Sequence, residues 1–347
     1  MERLKASVGI LLSKIGFDKK SFHIEALSAG GNNRVFIVHV GGNRLLLKWY
    51  FHDASDLRDR LGIEYAFMQH IWNMGLRCIP QPIGRDADEH IALYEFVEGV
   101  KLESKDIGHD HIKQAADFLA QLNSSKSRTL GLDLPIASEA CFSVIAHLDM
   151  ISARLGCLQD ISRELEVNLK AVEFINILNE FWSSRRDELL KRAKSISLDL
   201  NLELPANERF LSPSDFGFHN ALYRPNGELC FIDFEYAGWD DPAKTIGDFF
   251  SHPGVPVKHE YFDGFISKVL TSYPQFSPML ERIRIMEPIF QMKWCCIILN
   301  EFLPQQEMRR NFANPDVNSQ DRKVRQLEKA QKFFEVIKHQ RGLNGIH

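Results

Sequence analysis

Residues 211–250 read LSPSDFGFHNALYRPNGELCFIDFEYAGWDDPAKTIGDFF, and this stretch decides how the rest of the chain is read. Asp215 is followed five residues later by Asn220. Then come two short apolar segments around Pro225-Asn226-Gly227, a strong turn signal that predicts a hairpin. Asp233 closes the second segment, where an acid is costly to bury without a partner. The turn brings the two ends of the hairpin together, so Asn220 and Asp233 are expected to lie close to each other. Further on, Asp240 and Asp241 precede Pro242, an arrangement typical of a helix N-cap with Pro at the first helical position.

Working outward, the N-terminal segment 3–16 has the pattern of a short amphipathic helix. FHIEALS, NRVFIVHV and RLLLKWY follow, separated by Gly30-Gly31-Asn32-Asn33 and Gly41-Gly42-Asn43, and predict a three-stranded antiparallel meander. Asp53 or Ser55 is a suitable cap for a helix running to about Met74, with Leu57, Leu61, Met68 and Trp72 on its apolar stripe. CIPQPIGRD reads as a Pro/Gly loop entering a further strand, and HIALYEFVEGV as an apolar strand ending near Gly99. Beyond it HIKQAADFLAQLN, ASEACFSVIAHLDMISARL and the run from Asn168 are helical, as is most of the C-terminal region. Arg309 to Gln340 is highly charged and reads as a solvated helix face. The expectation is an α+β, bilobal fold: a small β-rich N-terminal lobe with one main helix over residues 1–95, and a larger, mostly α-helical lobe over 96–347, hinged at about 94–99.

Two acids and an amide at this spacing suit phosphoryl transfer, which needs an acceptor for the attacking hydroxyl's proton and Mg²⁺ bridging nucleotide phosphates. Mg²⁺ is hard and takes oxygen ligands such as carboxylates and amide carbonyls. The pattern Asp-x-x-x-x-Asn, short hairpin, Ile-Asp-Phe-Glu resembles the aminoglycoside phosphotransferase and choline kinase family, which has a protein-kinase-like fold. The resemblance implies that Asp215 is the catalytic base and that Asn220 and Asp233 are the metal ligands. SAGGNNRVFIV is similar to that family's phosphate-covering hairpin, which implicates Gly30, Gly31, Asn32 and Asn33 in nucleotide binding. Lys48 closes the next strand as the family's phosphate-binding lysine does, with Glu64 on the following helix as its partner. YEFVEG resembles the linker between lobes, so the backbone of Glu95, Phe96 and Val97 is expected to edge the adenine. GWDDPAKTIGDFF resembles the segment that leads into the next helix. The implied cofactors are ATP and Mg²⁺, and the implied activity is transfer of the γ-phosphoryl group to a hydroxyl of a sugar, aminosugar or amino alcohol. The family's usual His two residues before the base, a prop for the loop, is Pro213 here.

Several residues carry two readings. His219 suits phosphate or substrate contact, or loop support; Glu235, Asp240 and Asp241 suit the acceptor pocket, and one of the last two suits the cap. Lys48 at a strand end also suits snorkelling to solvent, and Gly30 and Gly31 suit a plain hairpin turn. Trp239 and Trp294 are expected in the core rather than in a cation-binding cage. A second class, a catalytically weak nucleotide-binding interaction protein on the same fold, draws its support from Pro213.

Composition narrows the field further. The chain has 347 residues, 44% hydrophobic and 25% charged, in the ordinary globular range. Net charge is −4, which excludes a basic nucleic-acid footprint at this level. Six scattered cysteines form no C-x-x-C pair and read as reduced core thiols. The N-terminal apolar stretch is short and broken by Ser13 and Lys14, unlike a signal peptide, and no spanning helix is expected. The cytoplasm is the expected location, and the partner is a small-molecule hydroxyl acceptor. A Gly-Lys dipeptide is absent, which argues against a P-loop enzyme. An Ala-Pro-Glu segment after Asp233 is absent too, which weighs against a protein kinase.

Overall fold

A computed structural model describes residues 2–17, 21–27, 32–53, 56, 58–271, 273–313 and 318–343. Helix α1 (Glu2–Lys14) precedes strands β1 (Phe22–Leu27), β2 (Arg34–Val40) and β3 (Asn43–Trp49). These three pair antiparallel in sequence order, as the alternating pattern predicts. Gly41 and Gly42 join β2 to β3 with φ of 54° and 78°, the left-handed pair that a tight type I′ hairpin requires. Helix α2 (Arg60–Asn73) follows, then β4 (Pro82–Asp86) and β5 (Ile91–Glu95), giving a five-stranded sheet in the order β1-β2-β3-β5-β4.

Two local expectations change. The segment read as a Pro/Gly loop contains β4, and Pro82 is its first residue. The sheet order puts β4 at the edge, where a residue without an N–H leaves no central ladder bond unmade. The α2 cap is Asp59, whose Oδ1 accepts from Gly62 N at 2.8 Å, so the helix starts later than Asp53 or Ser55 would set it.

Side chains alternate across β3 with period two. Leu45 and Leu47 join Phe36, Val38, Ile91 and Leu93 in a small core sealed by Leu4, Val8, Leu11 and Leu12 of α1. Lys48 therefore lies on the opposite face, with Tyr50, Ala92 and Tyr94, where α2 packs. That second face is continuous with the main core, so the small lobe is anchored to the large one through α2.

The large lobe starts with α3 (His109–Leu122), α4 (Ser125–Leu130), α5 (Val144–Gln159) and α6 (Glu166–Ser195). The start of ASEACFSVIAHLDMISARL is not helical, because α5 begins only where Ser143 caps it. Strand β6 (Phe210–Ser212) pairs with β9 (Gly238–Asp240), and between them β7 (Ala221–Tyr223) pairs with β8 (Leu229–Phe231). Helices α7 (Pro242–Ser251), α8 (Phe262–Val269), α9 (Phe276–Ile298), α10 (Pro304–Ala313) and α11 (Ser319–Leu343) complete the chain. Helix α11 is not wholly solvated: Leu327, Ala330, Phe334 and Ile337 bury a stripe at helical spacing, with Phe334 edge-on to Phe174 and Phe181 of α6. The cysteines are all free, three of them buried, while Cys157 is exposed rather than in the core. Among the described residues no helix is long and apolar enough to cross a membrane.

Candidate active site

The β7–β8 hairpin does what its turn predicts. Gly227 sits at φ 84°, its N–H donating to Arg224 O at 3.0 Å, and Ala221 faces Phe231. Continuing that register, Ile232 N donates to Asn220 O at 2.9 Å, so Asn220 and the residue next to Asp233 are paired backbone neighbours. Asp233 itself takes φ 69°, a left-handed conformation that costs a non-glycine residue about 1 kcal/mol or more and is concentrated at functional sites.

Lys48 Nζ lies 2.7 Å from Glu64 Oε2 and 2.5 Å from Asp233 Oδ1. It therefore does not snorkel; its residue is 8% exposed. Glu64 ties three segments together: its Oε2 also accepts from Tyr50 OH at 2.6 Å, and its Oε1 accepts from Phe234 N at 3.1 Å. Tyr50 and Tyr94 share a hydrogen bond of 2.7 Å behind this pair. Burial and the neighbouring Glu64 charge push both phenols well above their usual value, which keeps them neutral. No motif marks Tyr50, and Tyr94 opens the YEFVEG stretch, which was read for its backbone and not for this phenol.

Glu235 is fully enclosed. Its two oxygens accept from Asn32 Nδ2 at 2.8 Å and Asn33 Nδ2 at 2.7 Å, so the loop before β2 reaches across to the segment after β8. Asn33 Oδ1 in turn accepts from Phe51 N at 3.1 Å. Gly30 and Gly31 lie outside the described residues.

The charge count around Lys48 is uneven: Glu64, Asp233 and Glu235 surround one ammonium. Burial opposes the Lys48 charge, but Asp233 and then Glu64 outweigh it and hold the amine well above its ordinary value. Asp233 moves up as well. Burial is its main cause, Lys48 opposes it, and Glu235 and Glu64 add to it. Glu235 moves the other way: burial opposes its charge, but Lys48, Asn33, Asn32 and Arg309 overcome burial and hold it below its usual value, so the excess negative charge falls on Asp233. The donors present are oxygens, the Asp233 carboxylate and the Asn220 amide carbonyl, which fits Mg²⁺.

Asp215 lies on the loop after β6. Asn220 Nδ2 donates to Asp215 O at 3.1 Å and Oδ2 at 3.3 Å, which leaves the Asn220 carbonyl oxygen for another partner. His219 Nε2 is 3.1 Å from Asp215 Oδ1, and His252 Nε2 is 3.8 Å from the same oxygen. Burial raises the Asp215 carboxyl, but His219, then His252 and Lys293, override it and hold it well below the usual carboxylate range. The two imidazoles stack at 3.4 Å with planes 6° apart, and Trp294 meets His252 edge-on. The ligand atoms of Asp215, His219 and His252 all lie within 4.8 Å of one another. With the rings parallel, however, their in-plane lone pairs run side by side rather than converge on one ion. The two stacked imidazoles thus flank one oxygen of the Asp215 carboxylate. His252 follows α7 with no motif around it, so nothing in the sequence marks it.

The remaining acids are committed elsewhere. Asp241 caps α7 by accepting from Ala243 N at 2.8 Å and pairs with Arg282 Nη2 at 2.5 Å. Asp240 accepts from Lys244 Nζ at 2.5 Å. Both are 0% exposed, so neither lines an open acceptor pocket, and of the two it is Asp241 that caps the helix. At the lobe junction, Glu95 N donates to Gln81 O at 2.9 Å, while no backbone oxygen among the described residues accepts from Phe96 or Val97 N–H. Those two amides are the open positions of the stretch expected to edge the adenine. Trp294 is buried with Lys293 Nζ 5.4 Å from its ring centre, while Trp239 is half-buried rather than in the core, donates its indole N–H to Gly131 O at 3.1 Å and has Arg128 over its ring at 5.8 Å.

The sequence pattern of the phosphotransferase enzyme family matches residues 23–266, well over half of the chain, including Lys48, Glu64, Asp215, Asn220 and Asp233. The chain belongs to that family. No curated protein matches it significantly. Solved structures share the phosphotransferase fold at low identity. A choline kinase from Cryptosporidium parvum is 17% identical with a TM-score of 0.53, over 96% of each chain. A choline kinase from Streptococcus pneumoniae is 15% identical with a TM-score of 0.57, over 96% of this chain and 99% of that one. A spectinomycin phosphotransferase, in complex with ADP and spectinomycin, is 11% identical with a TM-score of 0.53, over 96% of this chain and 98% of that one. At such identities the likeness establishes the kinase-like α+β fold, with its small antiparallel lobe and helical lobe.

Proposed function

We propose that this phosphotransferase-family chain is an ATP- and Mg²⁺-dependent small-molecule kinase that moves the γ-phosphoryl group to an alcohol hydroxyl. The observation that carries the reading is the Lys48–Glu64–Asp233 junction, where the lysine of the small lobe meets the acid at the end of the catalytic hairpin. ATP lies between the lobes, its adenine edge on the backbone of residues 95–97. Lys48 turns from Asp233 toward the α- and β-phosphates while Glu64 keeps hold of it. Asn32 and Asn33 cover the phosphates once they release Glu235. Asp233 and Asn220 are the residues that would hold Mg²⁺. When bound, that ion neutralises charge on the transferring phosphate oxygens.

Asp215 accepts a hydrogen bond from the acceptor hydroxyl and orients it. A carboxylate this acidic is a weak base toward a resting alcohol. It therefore takes the proton late, as bond formation to phosphorus acidifies the hydroxyl, in keeping with a loose transition state. Positioning and electrostatics supply most of the rate. The acceptor is a small hydroxyl compound of the sugar, aminosugar or amino-alcohol kind. Asp240 and Asp241 do not serve to attract a cationic acceptor, because they are spent on Lys244 and Arg282. The six free thiols suit a reducing compartment, the cytoplasm.

The test is incubation of the purified chain with Mg·ATP and a panel of polyols, aminosugars and amino alcohols, read by mass spectrometry. Gain of one phosphoryl group on an acceptor is the expected result. Tight Mg·ADP binding with no phosphorylated product and no ATP hydrolysis overturns the enzyme reading in favour of a nucleotide-binding scaffold.

A further inference from the structure

Pro213 gives the Asp215 loop no polar side chain of its own, so neighbouring elements hold Asp215 in place. The loop needs holding: Ser214, the residue before Asp215, sits at φ 65°, a conformation that a non-glycine side chain keeps only when its surroundings impose it. Those surroundings come from the first turns of α7. Thr245 Oγ1 donates to Ser212 Oγ at 2.9 Å, and Ser212 Oγ accepts from Ser214 N at 3.0 Å. Lys244 Nζ donates to Ser214 Oγ at 3.2 Å while pairing with Asp240 at 2.5 Å and Asp248 at 3.7 Å.

A second branch leaves the same helix. Asp248 pairs with Lys293 and accepts from Trp294 Nε1 at 3.1 Å. The Trp294 ring packs edge-on against His252 at 4.1 Å, and His252 stacks on His219, which touches Asp215. Lys244, Asp240, Asp248 and Lys293 are each at most 4% exposed, and their two positive and two negative charges balance. A buried lysine is expensive unless it is paired and hydrogen-bonded. Lys244 is paired twice and spends a further donor on the loop.

We propose that Lys244 and Asp248 are the positioning residues of this active site. From one helix, α7, they reach Asp215 on both sides: Lys244 fixes the backbone through Ser214, and Asp248 fixes the carboxylate through Trp294, His252 and His219. The arrangement is a buried, charge-balanced ladder behind the loop. The inference rests on Asp215 being the group that faces the acceptor hydroxyl.

The test uses the full chain. The double variant Lys244→Met/Asp240→Asn removes one charge of each sign, so the interior stays balanced. Ser214→Ala removes only the hydroxyl that Lys244 engages and leaves every charge paired. Steady-state ATP consumption, with acceptor or as slow hydrolysis, gives kcat and the KM for ATP; nucleotide affinity comes from calorimetry with Mg·ADP. The imidazole resonances of His219 and His252 are followed in histidine-labelled protein.

For the double variant the expected result is a kcat lower by about 10- to 100-fold, since a misplacement of about 1 Å can lower the rate by ~10². The KM for ATP and the Mg·ADP affinity stay within about threefold, and the imidazole resonances shift. A folded double variant with kcat within twofold of the parent and unmoved imidazoles overturns the proposal. Should the double variant not fold, Ser214→Ala decides: a reduced kcat at unchanged ADP affinity supports the proposal, and an unchanged kcat overturns it. Should the parent chain turn over no ATP at all, the enzyme reading falls by itself. The imidazole resonances then decide the positioning role: shifts in Lys244→Met/Asp240→Asn uphold it, and their absence refutes it.

Discussion

Replacing Asp233 by an asparagine is expected to stabilise the metal-free fold while abolishing its response to Mg²⁺. Three carboxylates crowd Lys48, and Asp233 bears the strain: burial, opposed by Lys48 and reinforced by Glu235 and Glu64, raises it from 3.8 to about 6. At ~1.4 kcal/mol per pH unit, a fully dry site would put this at about 3 kcal/mol. The Asp233 side chain keeps 34% of its surface, so solvent screening leaves about 1 kcal/mol. The sign follows from linkage. An acid whose pKa is raised on folding contributes stability below its unfolded pKa and loses it as pH rises through the folded value. The ionised Asp233 therefore weakens the fold above about pH 6, and the uncharged amide of the Asp233→Asn variant does not. Differential scanning fluorimetry without metal should give Asp233→Asn a melting temperature higher by about 1–3 °C at pH 8. The gain should fade between pH 6 and pH 4. Adding Mg·ADP should raise the melting temperature of the parent and leave the variant nearly unmoved. A variant several degrees less stable at pH 8, or one equally protected by Mg·ADP, refutes the assignment of Asp233 as an under-neutralised metal ligand.

Three other perturbations probe separate parts of the site. Asp215→Asn should lower kcat by roughly 10²–10⁴ with Mg·ADP affinity nearly intact, and a fully active variant removes Asp215 from the chemistry. Lys48→Met should weaken Mg·ATP binding by calorimetry and destabilise the metal-free chain, because Glu64 and Asp233 lose their shared cation; unaltered affinity argues that phosphates do not reach this lysine. Asp241→Asn should cost about 3–5 kcal/mol in urea unfolding, because it leaves a buried Arg282 without its counter-charge. In the parent, Arg282 outweighs burial and holds Asp241 well below the usual range. Its contribution is thus present above the unfolded pKa and is lost as pH falls through the folded one. A variant as stable as the parent at pH 7 contradicts that pairing.

What the sequence could reveal was set by local rules. A turn signal between two apolar segments forces their ends together, so the adjacency of Asn220 and Asp233 was readable from the fourteen residues 220–233. Alternation along β3 dictates that Lys48 faces away from Leu47, so the lysine could be placed on the cleft face once the strand was recognised. Leu61, Met68 and Trp72 of the α2 stripe were legible for the same reason, whereas Leu57, expected on it, lies outside the described residues; the small antiparallel lobe and the helical lobe follow from the order of the elements.

The fate of each acid was a different matter, because a carboxylate's role depends on which cation reaches it. Asp240, Asp241 and Asp248 share one short segment, yet Lys244, Arg282 and Lys293 commit all three to the interior. Glu235 meets Asn32 and Asn33, some two hundred positions earlier, and His252 gains its meaning only by stacking on His219. The sequence by itself determined the strand alternation, the hairpin and the order of the lobes, since these arise from backbone sterics and the periodic burial of neighbouring residues. Only the tertiary structure decided which charges pair, how Asp215 is held and which acids remain for a cation, because Coulomb interactions and desolvation depend on distance in space and not on separation along the chain.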